Sequence, residues 1–139
     1  MLYIDTSVLV AYYCPEAISS KAEKIIINDD MPVISPLTEV EFASALARKV
    51  REGQLSIKSS NRILNEFKSH IYQLLYKKII IDTECYNLAF SWLSSHDIPL
   101  ATLDSLHLAA ASLNNLKIVT SDKQLSRAAL KLGVECQLL

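Results

Sequence analysis

Asp5, Glu41, Asp104 and Asp122 are the residues of this chain whose type and setting point to chemistry. Asp5 ends the apolar run Leu2-Tyr3-Ile4, Asp122 follows Ile118-Val119-Thr120-Ser121, and Asp104 opens the helical stretch Ser105 to Ala111. In open parallel α/β sheets, residues just past the carboxyl ends of strands line one crevice, so acids far apart in sequence can meet there. Carboxylates gathered in this way repel. The cluster then raises the pKa of one member or recruits a hard divalent cation, and Mg²⁺ or Mn²⁺ accepts oxygen ligands without Cys or His. Metal-assisted hydrolysis is the chemistry such a set would do. Helix N-capping is the other explanation for each Asp taken singly. Capping is served equally by a hydroxyl, however, and both Asp5-Thr6-Ser7 and Thr120-Ser121-Asp122 carry hydroxyls beside the acid.

The elements that must position these acids alternate along the chain. Leu2 to Ile4, Val33 to Ile34, Ile79 to Ile81, Lys117 to Val119 and Glu135 to Leu138 are short β-prone runs, with helical patterns between them. That alternation predicts a parallel α/β sheet. Ile18, Ala22, Ile25 and Ile26 form one helical apolar stripe, and Ile63, Phe67, Ile71 and Leu75 another. Ser35 followed by Pro36 marks a helix start, and Gly133 ends the last helix. No strand separates the helix of Leu37 to Arg51 from the segment Ser56 to Tyr76, so the two are expected to form a projecting helical hairpin with Gly53 in its turn.

Composition sets the outer limits. A chain of 139 residues with 50% hydrophobic content suits one domain with its own core. The net charge of −1 neither demands nor excludes nucleic acid, so any basic surface must be local. Cys14, Cys85 and Cys136 are odd in number and lack CxxC spacing, which disfavours a disulfide framework or a zinc site and fits a reducing compartment. The start Met1-Leu2-Tyr3-Ile4-Asp5 has no basic region ahead of an apolar stretch, and no run approaches a membrane span. A soluble, cytoplasmic protein is expected.

The stretches Tyr3-Ile4-Asp5-Thr6-Ser7, Ile34 to Glu41, Leu103-Asp104-Ser105-Leu106-His107-Leu108-Ala109 and Ile118 to Asp122 together resemble the PIN-domain nucleases. In size and layout the chain is similar to the VapC-type toxins of prokaryotic toxin–antitoxin pairs. The resemblance implies a single PIN-like domain over residues 1–139, with a three-layer α/β/α fold. It further implies a Mg²⁺- or Mn²⁺-dependent endoribonuclease acting on RNA, a homodimer, and an antitoxin protein that blocks the site. Residue by residue it assigns Asp5, Glu41, Asp104 and Asp122 as the four catalytic acids, with Asp5, Asp104 and Asp122 as metal ligands. Glu41 then orients or deprotonates the attacking water, or binds the metal through water. The products would carry 5′-phosphate and 3′-hydroxyl ends.

Several neighbours of the acids admit two readings. Glu39 and Glu41 lie roughly 200° apart on a helical wheel, so only one can face the site. The wheel sets Glu39 nearer the apolar stripe Val40, Ala43, Leu46, Ala47 and Val50, whereas the family motif selects Glu41. Thr6, Ser7, Thr120 and Ser121 are either donors that hold the carboxylates or ordinary helix caps. His107, three residues after Asp104, is a general acid or, more in keeping with its apolar neighbours, a packed histidine with a satisfied hydrogen bond. His70 and His96 are read as solvated, and Phe90 and Trp92 as core. Lys123, Arg127 and Lys131 form a candidate phosphate stripe, Arg48, Lys49 and Arg51 a second basic cluster, and Lys77 and Lys78 a third. Against the ribonuclease stand a PIN-fold protein-binding module without significant catalysis and a structure-specific DNA nuclease. The chain is short for the extra helices a flap nuclease needs. An Asp-x-Asp phosphatase is disfavoured because Asp5-Thr6-Ser7 supplies one Asp.

Overall fold

Neighbouring residues of a strand point to opposite faces, and the apolar pairs of this chain use both. Tyr3, Val33 and Ile118 are buried on one side of the sheet and Ile4, Ile34 and Val119 on the other, so the sheet is covered by helices on both faces. The computed structural model describes residues 1–139. Its strands β1 (Leu2–Ile4), β2 (Val33–Ile34), β3 (Lys77–Lys78), β4 (Lys117–Thr120) and β5 (Cys136–Leu138) form one sheet in the order β3-β2-β1-β4-β5. Every pairing is parallel, with Tyr3 in register with Val33 on one side and Ile118 on the other. The three-layer α/β/α architecture is the expected one.

Four helices cover the Ile4 face: α1 (Thr6–Tyr13), α2 (Ser19–Asn28), α3 (Pro36–Arg51) and α4 (Ile57–Tyr72). The helices α5 (Thr83–Ser94), α6 (Thr102–Leu113) and α7 (Lys123–Leu132) cover the Tyr3 face. Every residue of α6 from Ser105 to Ala111 is buried, as expected of a helix apolar all round. The α3–α4 hairpin forms as its sequence suggests, with Gly53 at φ +74° in the turn. It is anchored in the core by Phe42 and Phe67, whose ring centroids lie 4.5 Å apart, with Tyr13 packed edge-on against both. Gly133 caps α7 in the left-handed conformation that only glycine adopts without strain.

Several expectations need correction. The third strand pairs at Lys77 and Lys78 instead of Ile79 to Ile81, because β2 offers only two residues to pair with. Ile79 keeps one backbone bond to the Ile34 carbonyl, while Ile79 and Ile81 turn their side chains into the core. On α3 the buried row is Thr38, Phe42 and Leu46; Val40, Ala43 and Ala47 are exposed. The bulk of Phe42 sets the inward direction, which a count of apolar residues misses. Phe90 is 74% exposed, and His70 is partly buried, bonded to the Tyr13 hydroxyl at 2.7 Å. Leu75, past the end of α4, is half-exposed.

Candidate active site

The strand order places a crevice at the carboxyl ends of the central strands. From β1 the chain proceeds outward through β2 to β3, then crosses back to place β4 on the other side of β1. Loops leaving β1 and β4 therefore diverge, and the gap between them is the usual ligand crevice of such sheets. Asp5 stands directly after β1 and Asp122 two residues after β4. Asp5, Glu41, Asp104 and Asp122 all line one cavity of about 740 Å³ at this place.

Two of the acids are caps as well as cavity residues. Asp5 is the N-cap of α1, and its Oδ2 accepts from the Ser7 backbone N–H, the Ser7 hydroxyl and, at 2.8 Å, the Thr120 hydroxyl. All three bonds fall on one oxygen of a residue that is only 6% exposed. Ser7 in turn accepts from the Ser121 backbone N–H at 3.1 Å, tying the β1 and β4 loops together. Asp122 is the N-cap of α7, with Oδ1 accepting from the backbone N–H groups of Gln124 and Leu125. Asp104 is no cap: α6 begins at Thr102 after Ala101, so Asp104 lies in its first turn. Capping therefore explains none of its placement, although a helix N-terminus favours an acid there.

Glu41 is brought to the cavity by α3, while Glu39 does not line it and pairs with Lys78 at 3.0 Å. The Glu41 carboxylate accepts from the Thr6 hydroxyl at Oε2 (3.0 Å) and from His107 Nε2 at Oε1 (2.8 Å). His107 is wholly buried, and its Nδ1 lies 2.7 Å from the Tyr3 hydroxyl, so it is the packed, satisfied histidine its neighbours suggest. Burial opposes ionisation of Glu41, but the His107 hydrogen bond, the His107 charge and the Thr6 hydroxyl outweigh it and hold the carboxyl below the usual range.

Asp104 is the acid under greatest electrostatic pressure. Burial and then the charges of Asp5 and Asp122, with a smaller push from Glu41, lift its pKa from 3.8 to about 6, against a partial offset from His107. The carboxylates thus share one field. As they stand, no three of the Asp, Glu, His and Cys side chains form a group tight enough to hold a metal ion. The chemistry of the donor set is nonetheless that of a hard divalent cation: all oxygen, anionic, and with one member destabilised for want of positive charge.

Positive charge enters from one wall only. Arg48, Lys49 and Arg51, in the last turn of α3, line the same cavity. Lys49 is engaged by Glu16 at 2.9 Å, whereas Arg48 and Arg51 form no ion pair. Lys123, Arg127 and Lys131 are exposed on α7 but do not line the cavity. Sequence reasoning had not connected His107 or Thr6 to Glu41, nor Tyr3 to His107. These bonds join residues 35, 66 and 104 positions apart, beyond the reach of any local spacing.

Residues 2–131 match the family described as PIN domain. No curated protein matches the chain in sequence. Among solved structures the chain is similar to FitAcB from Neisseria gonorrhoeae, at 19% identity and a TM-score of 0.76, covering 98% of this chain and 96% of that one. It is also similar to VapC20 from Mycobacterium tuberculosis, a toxin that cleaves the sarcin-ricin loop, at 16% identity and a TM-score of 0.73 over 92% of this chain and 95% of that one. A toxin–antitoxin complex from Klebsiella pneumoniae matches at 16% identity and a TM-score of 0.61, covering 91% of each chain. At such identities the likeness is one of fold.

Proposed function

Since this chain belongs to the PIN-domain family, we propose that it is a metal-dependent endoribonuclease and the toxin of a toxin–antitoxin pair. The observation that carries the reading is the convergence of Asp5, Glu41, Asp104 and Asp122, from four separate segments, on one cavity walled on one side by arginines. Asp5, Asp104 and Asp122 are the residues that would hold Mg²⁺ or Mn²⁺. When bound, the cation supplies acidity to water and charge neutralisation at the scissile phosphate. No helix is long and apolar enough to cross a membrane.

The chain's own residues supply position and proton transfer. Arg48 and Arg51 attract the RNA backbone and steer a phosphate toward the acids. Glu41, kept ionised, accepts a proton from the attacking water, the task of a general base. Water adds to phosphorus, the bond to the 3′-oxygen breaks, that oxygen takes up a proton from solvent and Glu41 returns its own to solvent, leaving 5′-phosphate and 3′-hydroxyl ends. Ser7 and Thr120 hold Asp5 still throughout, so little reorganisation is needed during reaction. A second copy of the chain and an antitoxin protein complete the proposed assembly.

Expression without an antitoxin should slow growth, and Asp5→Asn should relieve the slowing while the variant folds. The purified protein should cut RNA and leave DNA intact. Growth arrest that survives Asp5→Asn would replace cleavage with protein binding as the mode of action.

A further inference from the structure

We infer that His107 is a positioning residue, a buried strap that fixes Glu41 relative to Asp104, and that Tyr3 with the cap of α3 anchors the strap from behind. The inference builds on the proposed ribonuclease reading, because it assigns a task to a residue that acts on the reaction only through Glu41.

The geometry leaves His107 no other partners. Its ring is wholly buried in α6, with Nε2 2.8 Å from Glu41 Oε1 and Nδ1 2.7 Å from the Tyr3 hydroxyl. Tyr3 is itself wholly buried, and its hydroxyl donates to Ser35 Oγ at 2.9 Å. Ser35 and Thr38 are the reciprocal cap of α3, joined through side chain and backbone in both directions. The chain of hydrogen bonds thus leaves Glu41, passes through α6 and β1, and returns to the start of the helix that carries Glu41. Ser35 and Thr38 are fully buried, so the chain has no outlet to solvent at that end. It is closed, which suits holding a side chain rather than conducting protons.

Two consequences for the site come from this closure. Glu41 is held at both oxygens, by Thr6 on one and His107 on the other, so its carboxylate plane is fixed. Asp104 lies one turn before His107 on α6, so the same imidazole that grips α3 also sets how far Asp104 stands from Glu41. Outer hydrogen-bond partners at metal sites set the scale for such a support: their loss costs about 10- to 100-fold in metal affinity or activity.

The test compares His107→Leu, which keeps bulk without a donor, with His107→Gln, whose amide N–H reaches the place of Nε2, and with Tyr3→Phe. Turnover and KM on RNA are measured with Mg²⁺, well below each variant's melting temperature. His107→Leu should lower kcat by about 10- to 100-fold with KM little changed. His107→Gln should recover most of that loss, Tyr3→Phe should show a smaller loss, and His107→Leu should add nothing in a Glu41→Ala background. Equal rates for the Leu and Gln variants, or additive losses with Glu41→Ala, would overturn the strap. Should His107→Leu not fold, His107→Gln set against His107→Asn, whose shorter amide falls short of Glu41, gives the same comparison. If the wild type cuts no RNA, the ribonuclease reading fails separately. The strap is then judged from melting temperatures of the Glu41→Ala, His107→Gln and double variants, where additive shifts would refute it and non-additive shifts support it.

Discussion

Replacing Asp104 with Asn should remove the proposed cleavage activity yet make the metal-free protein more stable at neutral pH. The Asp104 carboxyl is pushed from 3.8 up to about 6, first by burial and then by the charges of Asp5 and Asp122. At about 1.4 kcal/mol per pH unit this gap is worth about 3 kcal/mol. The carboxylate is only half-buried, and solvent screening reduces that figure to about 1–2 kcal/mol. A raised value means that the folded state holds the proton more tightly than the unfolded chain. Its stabilising contribution is therefore complete below 3.8, declines as pH rises, and is gone above about 6. Asn has no proton to lose and keeps the contribution at every pH. Urea unfolding in EDTA should show Asp104→Asn more stable than wild type by about 1–2 kcal/mol at pH 7.5, and by only a small part of that at pH 4. Added Mn²⁺ should stabilise the wild type and erase the advantage of the variant. A destabilised variant at pH 7.5, or a gain equal at both pH values, would refute the idea that the acids press on one another.

Arg48→Ala and Arg51→Ala should each weaken RNA binding and lower the slope of log affinity against log salt by about 0.7, the share of one single-strand phosphate contact. Lys123→Ala, outside the cavity, should change neither; fluorescence anisotropy over a salt series with a metal-free RNA probe reads all three. Phe42→Ala removes a wholly buried ring packed between Tyr13 and Phe67 and should cost about 3–5 kcal/mol in urea unfolding. Thr120→Val takes a hydroxyl from the buried Asp5 carboxylate while leaving the Ser7 donors in place. It should cost about 1–3 kcal/mol at neutral pH by the same measurement.

Much of the fold was legible because its strands are short apolar runs and its helix ends carry strong local signals. Ser35-Pro36 and Gly133 mark the boundaries they suggest, and Asp5 and Asp122 cap the helices that follow them. The strand at Lys77 and Lys78 was not legible, since its pairing is decided by the neighbouring two-residue strand and not by its own apolar content. The face of α3 was misread for a related reason: one Phe outweighs several small apolar residues, and periodicity counts them alike. As for the site, Asp5 and Asp122 could be named from their places after strands, Asp104 from the helix it opens and Glu41 from the family motif, but their partners could not. His107 and Glu41 are 66 residues apart, and only the folded arrangement of α3 and α6 brings the imidazole to the carboxylate.

The most direct test of the central claim is the end chemistry of RNA cut by the purified, antitoxin-free protein at neutral pH, with Mg²⁺, Mn²⁺ or EDTA, beside Asp104→Asn. Fragments with 5′-phosphate and 3′-hydroxyl ends, formed only with metal and absent with the variant, are the expected result. Cyclic phosphate ends, cutting in EDTA, or full activity of Asp104→Asn would contradict a hydrolytic site built from these four acids.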